Sequence, residues 1–324
     1  MKNTKGSALI LVILIISLIS ILTIISSERI VNTTKNSLIF SSQTQSYWYA
    51  MALESSASNY LSSKKQLDKI YDEKAQIEDL PKINVSFDNV NVQGTIRDLH
   101  SCFNLNILVK SKNSELIRNI ETINILKSLL LNLNINEFTV SEIIASLLDW
   151  IDSNDFTEDV NGAEDDFYTR LDNPYRTSNQ LLFDLYELLS IKGFNKDLIQ
   201  ALQPYICIIP NTSDTRFNLN SISKKNPELL SAFFDNQISL TESSEILQDR
   251  PLDGFKDIEE FWSHPLLVNI QKNNNINSYL SFRSNFYELQ TKVSNPINSY
   301  RMVSIFYIDD SNSVKVINRA SGSF

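Results

Sequence analysis

Hydrophobic and polar positions indicate a membrane-spanning helix at the start of the chain. Residues 7–27 form an unbroken apolar run without charge, Pro or Gly. At 1.5 Å per residue such a helix spans roughly 30 Å, the thickness of a bilayer core. Because Lys2 and Lys5 precede the run, we expect the N-terminus to stay cytoplasmic. An ordinary cleaved signal peptide fits less well, since its apolar region is shorter and is followed by a small-x-small site. A plain signal anchor is the second alternative.

The segment after the apolar run is predicted to continue the same helix. No Gly or Pro occurs from Ser7 to Leu80, and we expect the helix to reach about Ser63. Its outer half is rich in Ser, Asn and Thr, with apolar residues such as Trp48 and Met51 at intervals. These positions predict a stem that packs against a globular head.

Alternating residues predict strands on either side of a helical middle. Period-two patterns mark residues 83–87 and 90–96, and alternating or β-branched runs mark 279–282, 286–293, 301–308 and 314–317. Helical spacing marks residues 115–133 and 180–190 between them. The fold class predicted is α+β: a long N-terminal helix, an antiparallel sheet and a large inserted helical domain. The tetrapeptide Phe-Asn-Leu-Asn occurs at both 103–106 and 217–220.

Composition excludes some classes of partner. Hydrophobic residues make up 42% of the 324 residues, which is enough for a substantial core, and the formal net charge is −9. Residues 188–206 resemble a helix-hairpin-helix, a unit that can bind DNA phosphates. The acidic surroundings repel phosphate, so we expect the two helices to pack together and predict no nucleic-acid partner.

Two clusters carry candidate chemistry. Residues 149–166 hold eight carboxylates and no Lys or Arg, a composition that suits either a hard cation such as Ca²⁺ or a solvated acidic loop. The spacing does not match an EF-hand. Cys102 and Cys207 lie at the two ends of the predicted insertion, and they are either a disulfide or two buried thiols. No nucleophile motif, phosphate loop or dinucleotide fingerprint is present, so no enzyme activity is predicted.

The order of several stretches resembles the type II secretion minor pseudopilin K family, also called general secretion pathway protein K. They begin with KGSALILVILIISLIS at residue 5 and QSYWYAMALES in the stem. The others are FNLN at 103, LLDWIDSND at 147, GAEDDFY at 162, NPYRTSNQLLFDLYELLSIKGF at 173 and RFNLNSI at 216.

The resemblance implies roles for residues at the start of the chain. A prepilin peptidase would cut between Gly6 and Ser7, and Ser7 would be methylated. The fifth mature residue, usually Glu in pilins, is Leu11 here. The absence of Glu agrees with the minor pseudopilin K pattern, in which the subunit sits at the fibre tip.

The resemblance also implies a domain plan. It gives a leader at 1–6, a transmembrane helix at 7–27 and a stem with the first pilin-like strands at 28–106. The inserted helical domain would cover 107–210, and further helices and the C-terminal strands 211–324. Calcium is implied as a structural ion, with Asp149, Asp152, Asp155, Glu164 and Asp165 as the favoured ligands.

The implied function is to initiate or cap a pseudopilus that exports proteins across the outer membrane. The implied partners are the minor pseudopilins I and J, an inner-membrane assembly platform and the prepilin peptidase. We expect a single pass through the bacterial inner membrane with most of the chain in the periplasm. A minor pilin of a type IV or competence pilus and a membrane-anchored, calcium-dependent envelope hydrolase are the alternatives.

Overall fold

The computed structural model describes residues 5–70, 80, 82–157, 159–212, 216–268, 270, 274–309 and 311–322. Its α-helices are α1 (Lys5–Ile70), α2 (Ile120–Asn132), α3 (Glu137–Ile151), α4 (Asp165–Tyr168), α5 (Lys196–Leu202), α6 (Pro227–Phe233), α7 (Leu240–Gln248), α8 (Ile258–Trp262) and α9 (Asn274–Tyr279). Its 3₁₀ helices are Leu105–Leu108, Leu185–Ser190 and Pro265–Leu267.

The strands are β1 (Lys82–Phe87), β2 (Val90–Asp98), β3 (Phe103–Asn104), β4 (Val109–Lys112), β5 (Glu115–Arg118), β6 (Ile206–Cys207), β7 (Phe217–Asn218), β8 (Leu280–Ser281), β9 (Phe286–Ser294), β10 (Ser299–Ile308) and β11 (Val314–Gly322). Five of them form one antiparallel sheet in the order β1-β2-β9-β10-β11. The predicted fold class is confirmed.

Helix α1 is continuous for 66 residues, seven residues longer at its C-terminal end than the predicted limit at Ser63. In the described part of the chain it is the one helix long and apolar enough to cross a membrane. Its apolar side chains from Leu9 to Ile25 are exposed rather than packed against the head. This burial pattern fits a single-pass anchor that carries a soluble head.

The outer part of α1 covers one face of the sheet. Ala50, Leu53 and Ala57 on the helix share a buried core with Leu289 and Val293 of β9. The approach is close at Gly94, where a Cβ atom would come within 2.6 Å of the Leu53 side chain. Glycine at this position therefore lets the helix lie directly on β2.

Contacts along α1 show which end of the sheet lies nearest the membrane. Ser42 and Ser46 bond to Asn295 and Asn298 in the β9–β10 turn, at 3.2 and 3.3 Å. Farther along the helix, the Ser304 hydroxyl donates to Glu54 at 2.7 Å. Because α1 runs away from the membrane, the β9–β10 turn is the near end of the sheet. The opposite end, at the C-terminus of β2, is the far end.

The chain leaves the sheet at the far end and returns there. The Leu99 amide, directly after β2, donates to the Phe286 carbonyl at the start of β9, at 3.0 Å. Residues 99–285 therefore form an insertion between two neighbouring strands. The insertion is longer than the predicted domain at 107–210.

Packing explains why the predicted boundary at residue 210 differs from the structure. One buried core joins side chains from both sides of it, including Leu129, Leu147, Leu230 and Phe261. Helices α6, α7 and α8 therefore belong to the inserted part, not to the pilin-like sheet. The segment 115–133 also differs from the predicted helix, because β5 precedes α2 and pairs with β4. The predicted helix at 180–190 is a 3₁₀ turn over Leu185–Ser190.

The two Phe-Asn-Leu-Asn copies occupy equivalent positions in the insertion. Each opens a two-residue strand that pairs in parallel with a returning segment, β3 with β6 and β7 with β8. The last Asn of each copy is buried and bonds to backbone on two sides: Asn106 to Leu182 and Ile209, and Asn220 to Phe255 and Phe282. The repeat thus closes two successive loops of the inserted part.

Candidate functional site

The residues of the predicted leader boundary lie at the start of α1. Gly6 and Ser7 are helical, and Leu11 follows on the same helix with 59% of its surface exposed. The predicted boundary is therefore continuous with the anchor helix, and cleavage and methylation there stay predictions. Lys2 lies outside the described residues.

The two cysteines are joined in a disulfide where the insertion meets the sheet. The Cα atoms of Cys102 and Cys207 are 5.8 Å apart, and both residues are buried with Leu99, Ile209 and Phe286. Of the two alternatives, the structure contains the bridge. It closes a loop with a sequence separation of 105 residues, which contains α2 to α5.

Asp98 joins the same region to the second half of the insertion, a role that sequence reasoning missed. Its buried carboxylate accepts hydrogen bonds from the Ser221 and Ser284 hydroxyls and from the His100 amide. Ser221 directly follows the second Phe-Asn-Leu-Asn copy. An aspartate at the end of a strand is common, so no sequence signal distinguishes this one.

The acidic cluster divides into buried and outward-facing carboxylates. Asp149 and Asp152 are 0% and 1% exposed at the C-terminal end of α3, and Glu164 is 3% exposed just before α4. Asp155 is exposed and bonds to the Asn179 amide at 2.8 Å. Asp165 accepts from the Thr177 amide at 2.9 Å.

Arg118 supplies positive charge to the buried pair. Its guanidinium donates to Asp149 at 2.7 Å and to Asp152 at 3.0 Å. The arginine lies on β5, more than thirty positions earlier in the sequence, so the carboxylate pattern alone could not identify it. Gly162 is also required, because a Cβ there would come within 1.9 Å of Asp149 Oδ2.

The buried carboxylates are not fully compensated. Burial first, and then the negative charges of Asp149 and Asp152, together raise the pKa of Glu164 to about 8. Burial also raises the pKa of Asp149 to about 6, against the lowering effect of Arg118. Both Glu164 carboxylate oxygens and Asp149 Oδ2 lack a hydrogen bond of ordinary geometry within the described residues. A cation is the chemical complement of such oxygens.

The predicted ligands are not already gathered into a metal centre. Within the ranges that the structure describes, no group of three or more His, Cys, Asp or Glu side chains is arranged to hold a metal ion. The uncompensated oxygens belong to Asp149 and Glu164, whereas Asp155 and Asp165 bond to neighbouring polar groups. The five-ligand set stays a prediction, with Asp149 and Glu164 as its best-supported members.

Comparison with known families decides what this architecture is. Two models described as type II secretion system (T2SS), protein K, match residues 101–211 and 217–283, and together they cover most of the insertion. The chain belongs to the type II secretion system protein K family. The two matched segments each begin near one Phe-Asn-Leu-Asn copy, which agrees with the two loops that these copies close.

Relatives extend the similarity to the anchor and the sheet. Type II secretion system protein K of Pectobacterium carotovorum subsp. carotovorum is 27% identical over 322 residues, 99% of this chain and 97% of the relative. The Klebsiella pneumoniae protein K is 29% identical and covers 81% of this chain and 80% of the relative. The chain therefore has the role of a minor pseudopilin of the type II secretion system.

A solved structure has the same fold. The crystal structure of the GspK-GspI-GspJ complex from the type 2 secretion system of enterotoxigenic Escherichia coli contains a chain with a TM-score of 0.73. It is 24% identical and covers 87% of this chain and 97% of that chain. This chain thus shares its fold, over the part that is covered, with that structure.

Proposed function

We propose that this chain occupies the tip of the pseudopilus, where it starts or caps the fibre. The observation that carries the proposal is the position of the insertion. Residues 99–285 leave and re-enter the sheet at the end farthest from the membrane anchor. New subunits enter a fibre from the membrane side, below those already assembled. A large insertion at the end farthest from the membrane therefore does not obstruct them if its subunit occupies the tip.

The anchor supports the same position. A carboxylate at a bilayer centre costs roughly 2.5–3.5 kcal/mol on insertion scales unless it finds a partner. In a subunit with no neighbour above it, the usual glutamate would have no partner to offset this cost. Leu11 places an exposed apolar side chain at that point of α1 instead.

The proposed partners are the minor pseudopilins I and J. The solved relative named above was crystallised with GspI and GspJ, which supports equivalent partners here. On α1, beyond the apolar anchor, Phe40 and Trp48 are 72% and 64% exposed. Aromatic side chains in this position are suited to packing against the stems of partner subunits. We also propose contact with the inner-membrane assembly platform.

Processing by a prepilin peptidase and residence in the inner membrane with a periplasmic head belong to the same proposal. Mass spectrometry of the chain purified from its native membrane tests them together. We expect a mature N-terminus at methylated Ser7 and co-purification of I and J. An intact Met1, or a processed chain that never associates with I and J, would contradict the proposal.

We propose that calcium binds at the buried acidic cluster and stabilises the insertion. The uncompensated Asp149 and Glu164 oxygens support this, since Ca²⁺ takes 6–8 oxygen ligands, waters included. Titration of calcium into chelator-treated protein is expected to raise the melting temperature, and to raise it less in a Glu164→Gln variant. A melting temperature unchanged by calcium would contradict the site.

We propose an assembly role rather than catalysis. The family match supports it, since protein K is a pseudopilin. The family match favours a subunit of the secretion system over two alternatives: a minor pilin of a type IV or competence pilus, and a calcium-dependent hydrolase of the envelope. Loss of protein export on deletion, reversed by the full chain, is the expected phenotype.

A further inference from the structure

A cleft lies between the sheet and the insertion, on the sheet face opposite α1. Its floor includes Gln93 and Thr95 of β2, which alternate with Val92 and Ile96 in the core under α1. Its wall is the 3₁₀ helix Leu185–Ser190 together with α5. The cleft has a volume of about 440 Å³, within the range of pockets that bind small molecules or peptide side chains.

Two cations lie side by side on the cleft floor. Lys292 of β9 and Arg301 of β10 are directly paired across the two antiparallel strands. Like charges in directly opposed positions destabilise a sheet. Lys196, at the start of α5, adds a third positive charge from the wall. Among the described residues, no ion pair joins any of the three to a carboxylate.

The two carboxylates of the cleft have other partners. Glu288 is paired across the strands with Arg97, and it accepts a hydrogen bond from Gln290 at 2.7 Å. Asp184 caps the 3₁₀ helix by accepting from the Tyr186 amide at 2.7 Å. Lys196, Lys292 and Arg301 thus give the cleft a local excess of positive charge, although the net charge of the whole chain is −9. A carboxylate from outside the chain would relieve their repulsion.

The wall supplies an apolar contact beside these cations. Phe183, Tyr186 and Leu189 are 49%, 47% and 49% exposed, and all three line the cleft. The exposed amide side chains of Gln93, Gln200 and Gln290 can bond to a peptide backbone. The arrangement therefore combines carboxylate recognition, an apolar surface and backbone-type hydrogen-bonding groups.

We propose that this cleft binds an extended acidic segment of another protein. One carboxylate of the segment would bond to Lys292 and Arg301, while an aromatic or branched side chain would pack against the wall. This inference goes beyond the proposed tip position, because it assigns a peptide-recognition surface that neither the anchor nor the sheet requires.

An array of fluorescent decapeptides tests the proposal on the full chain in lipid nanodiscs. Each peptide carries two Asp and one Phe at varied spacing, and matched peptides carry Asn or Lys in place of Asp. We expect saturable binding of acidic peptides that weakens with salt, and no binding of the Lys peptides. The variant Lys292→Glu/Arg301→Glu should weaken binding at least tenfold, and Leu189→Asp should weaken it severalfold.

Lys110→Glu is the matched control, since this exposed lysine lies on β4 outside the cleft. Lys110→Glu also replaces a positive charge with a negative one, and it should leave peptide binding intact. Arg301→Lys keeps the positive charge of the cleft and should leave binding intact as well. The proposal is overturned if no acidic peptide binds, or if Lys110→Glu weakens binding as much as Lys292→Glu/Arg301→Glu does. It is also overturned if a second copy of this chain fills the cleft. That result would appear as concentration-dependent dimers that Lys292→Glu/Arg301→Glu abolishes.

Discussion

Glu164 shows at the scale of one residue how burial and charge act together. Its carboxyl lies next to the pair held by Arg118, yet it has no cation of its own among the described residues. The eight carboxylates of 149–166 could be recognised from sequence, but the burial of Asp149, Asp152 and Glu164 could not. Arg118 is brought to them by the β4–β5 hairpin, a contact that depends on tertiary structure.

We predict a pH dependence in chelator-treated protein. The pKa of folded Glu164, about 8, lies above its ordinary value of 4.5, so the folded state binds more protons between these values. The free energy of unfolding should therefore fall as pH rises from about 4.5 to about 8. Glu164→Gln should flatten that fall and raise the melting temperature at pH 8 by a few degrees.

Glu245→Gln provides the control for this measurement, because Glu245 is an exposed glutamate on α7. Melting curves of the wild type, Glu164→Gln and Glu245→Gln at several pH values show whether Glu164 causes the pH dependence. Identical pH profiles for wild type and Glu164→Gln would show that the Glu164 carboxyl is not perturbed by its surroundings.

At the scale of elements, Glu54 joins α1 to the sheet. Its buried carboxylate accepts two hydrogen bonds from Arg319 of β11, at 2.7 and 2.8 Å, and one from Ser304 of β10. The chain positions of the two charged residues are 265 apart. Both elements were predictable from their periodicity, whereas this contact between them was not.

We predict that Arg319→Ala lowers the free energy of unfolding by roughly 1–3 kcal/mol. The loss is less than for a fully buried pair, because the Arg319 side chain is 46% exposed. Arg170→Ala is the control, since its pair with Asp166 is exposed on both sides and contributes roughly 0–1 kcal/mol. Denaturant unfolding measures both. Equal losses would contradict a special role for the Glu54 contact.

The strands of the sheet were easier to predict than the extent of the insertion. In β2 and β9, buried and exposed residues alternate, and this period is visible in the sequence. The insertion is organised by two-residue strands such as β3 and β7, which are too short for a periodic signal. A buried apolar residue such as Leu230 gives the same pattern in the sequence whether its helix packs within the insertion or against the sheet.

At the scale of the whole molecule, three parts follow one another away from the membrane: the apolar anchor, the sheet with the outer part of α1, and the insertion at the far end of the sheet. The anchor and sheet were predictable as a pilin-like pair from residues 7–27 and the C-terminal strands. The far-end position of the insertion was not, because it depends on which end of the sheet faces the membrane. Ser42 and Ser46, through Asn295 and Asn298, show that orientation.

Electron microscopy of purified pseudopili with a gold-labelled antibody against residues 99–285 tests the tip position most directly. We expect label at one end of each fibre and not along its length. A variant in which a short Gly-Ser linker replaces residues 99–285 tests the cause, since Asp98 and Tyr287, beside the two ends to be joined, are already paired across β2 and β9. With Leu11→Glu added to restore the usual glutamate, and with an epitope tag at its C-terminus, it should appear along the fibre. Label distributed along the fibres of the wild-type protein would contradict the tip position.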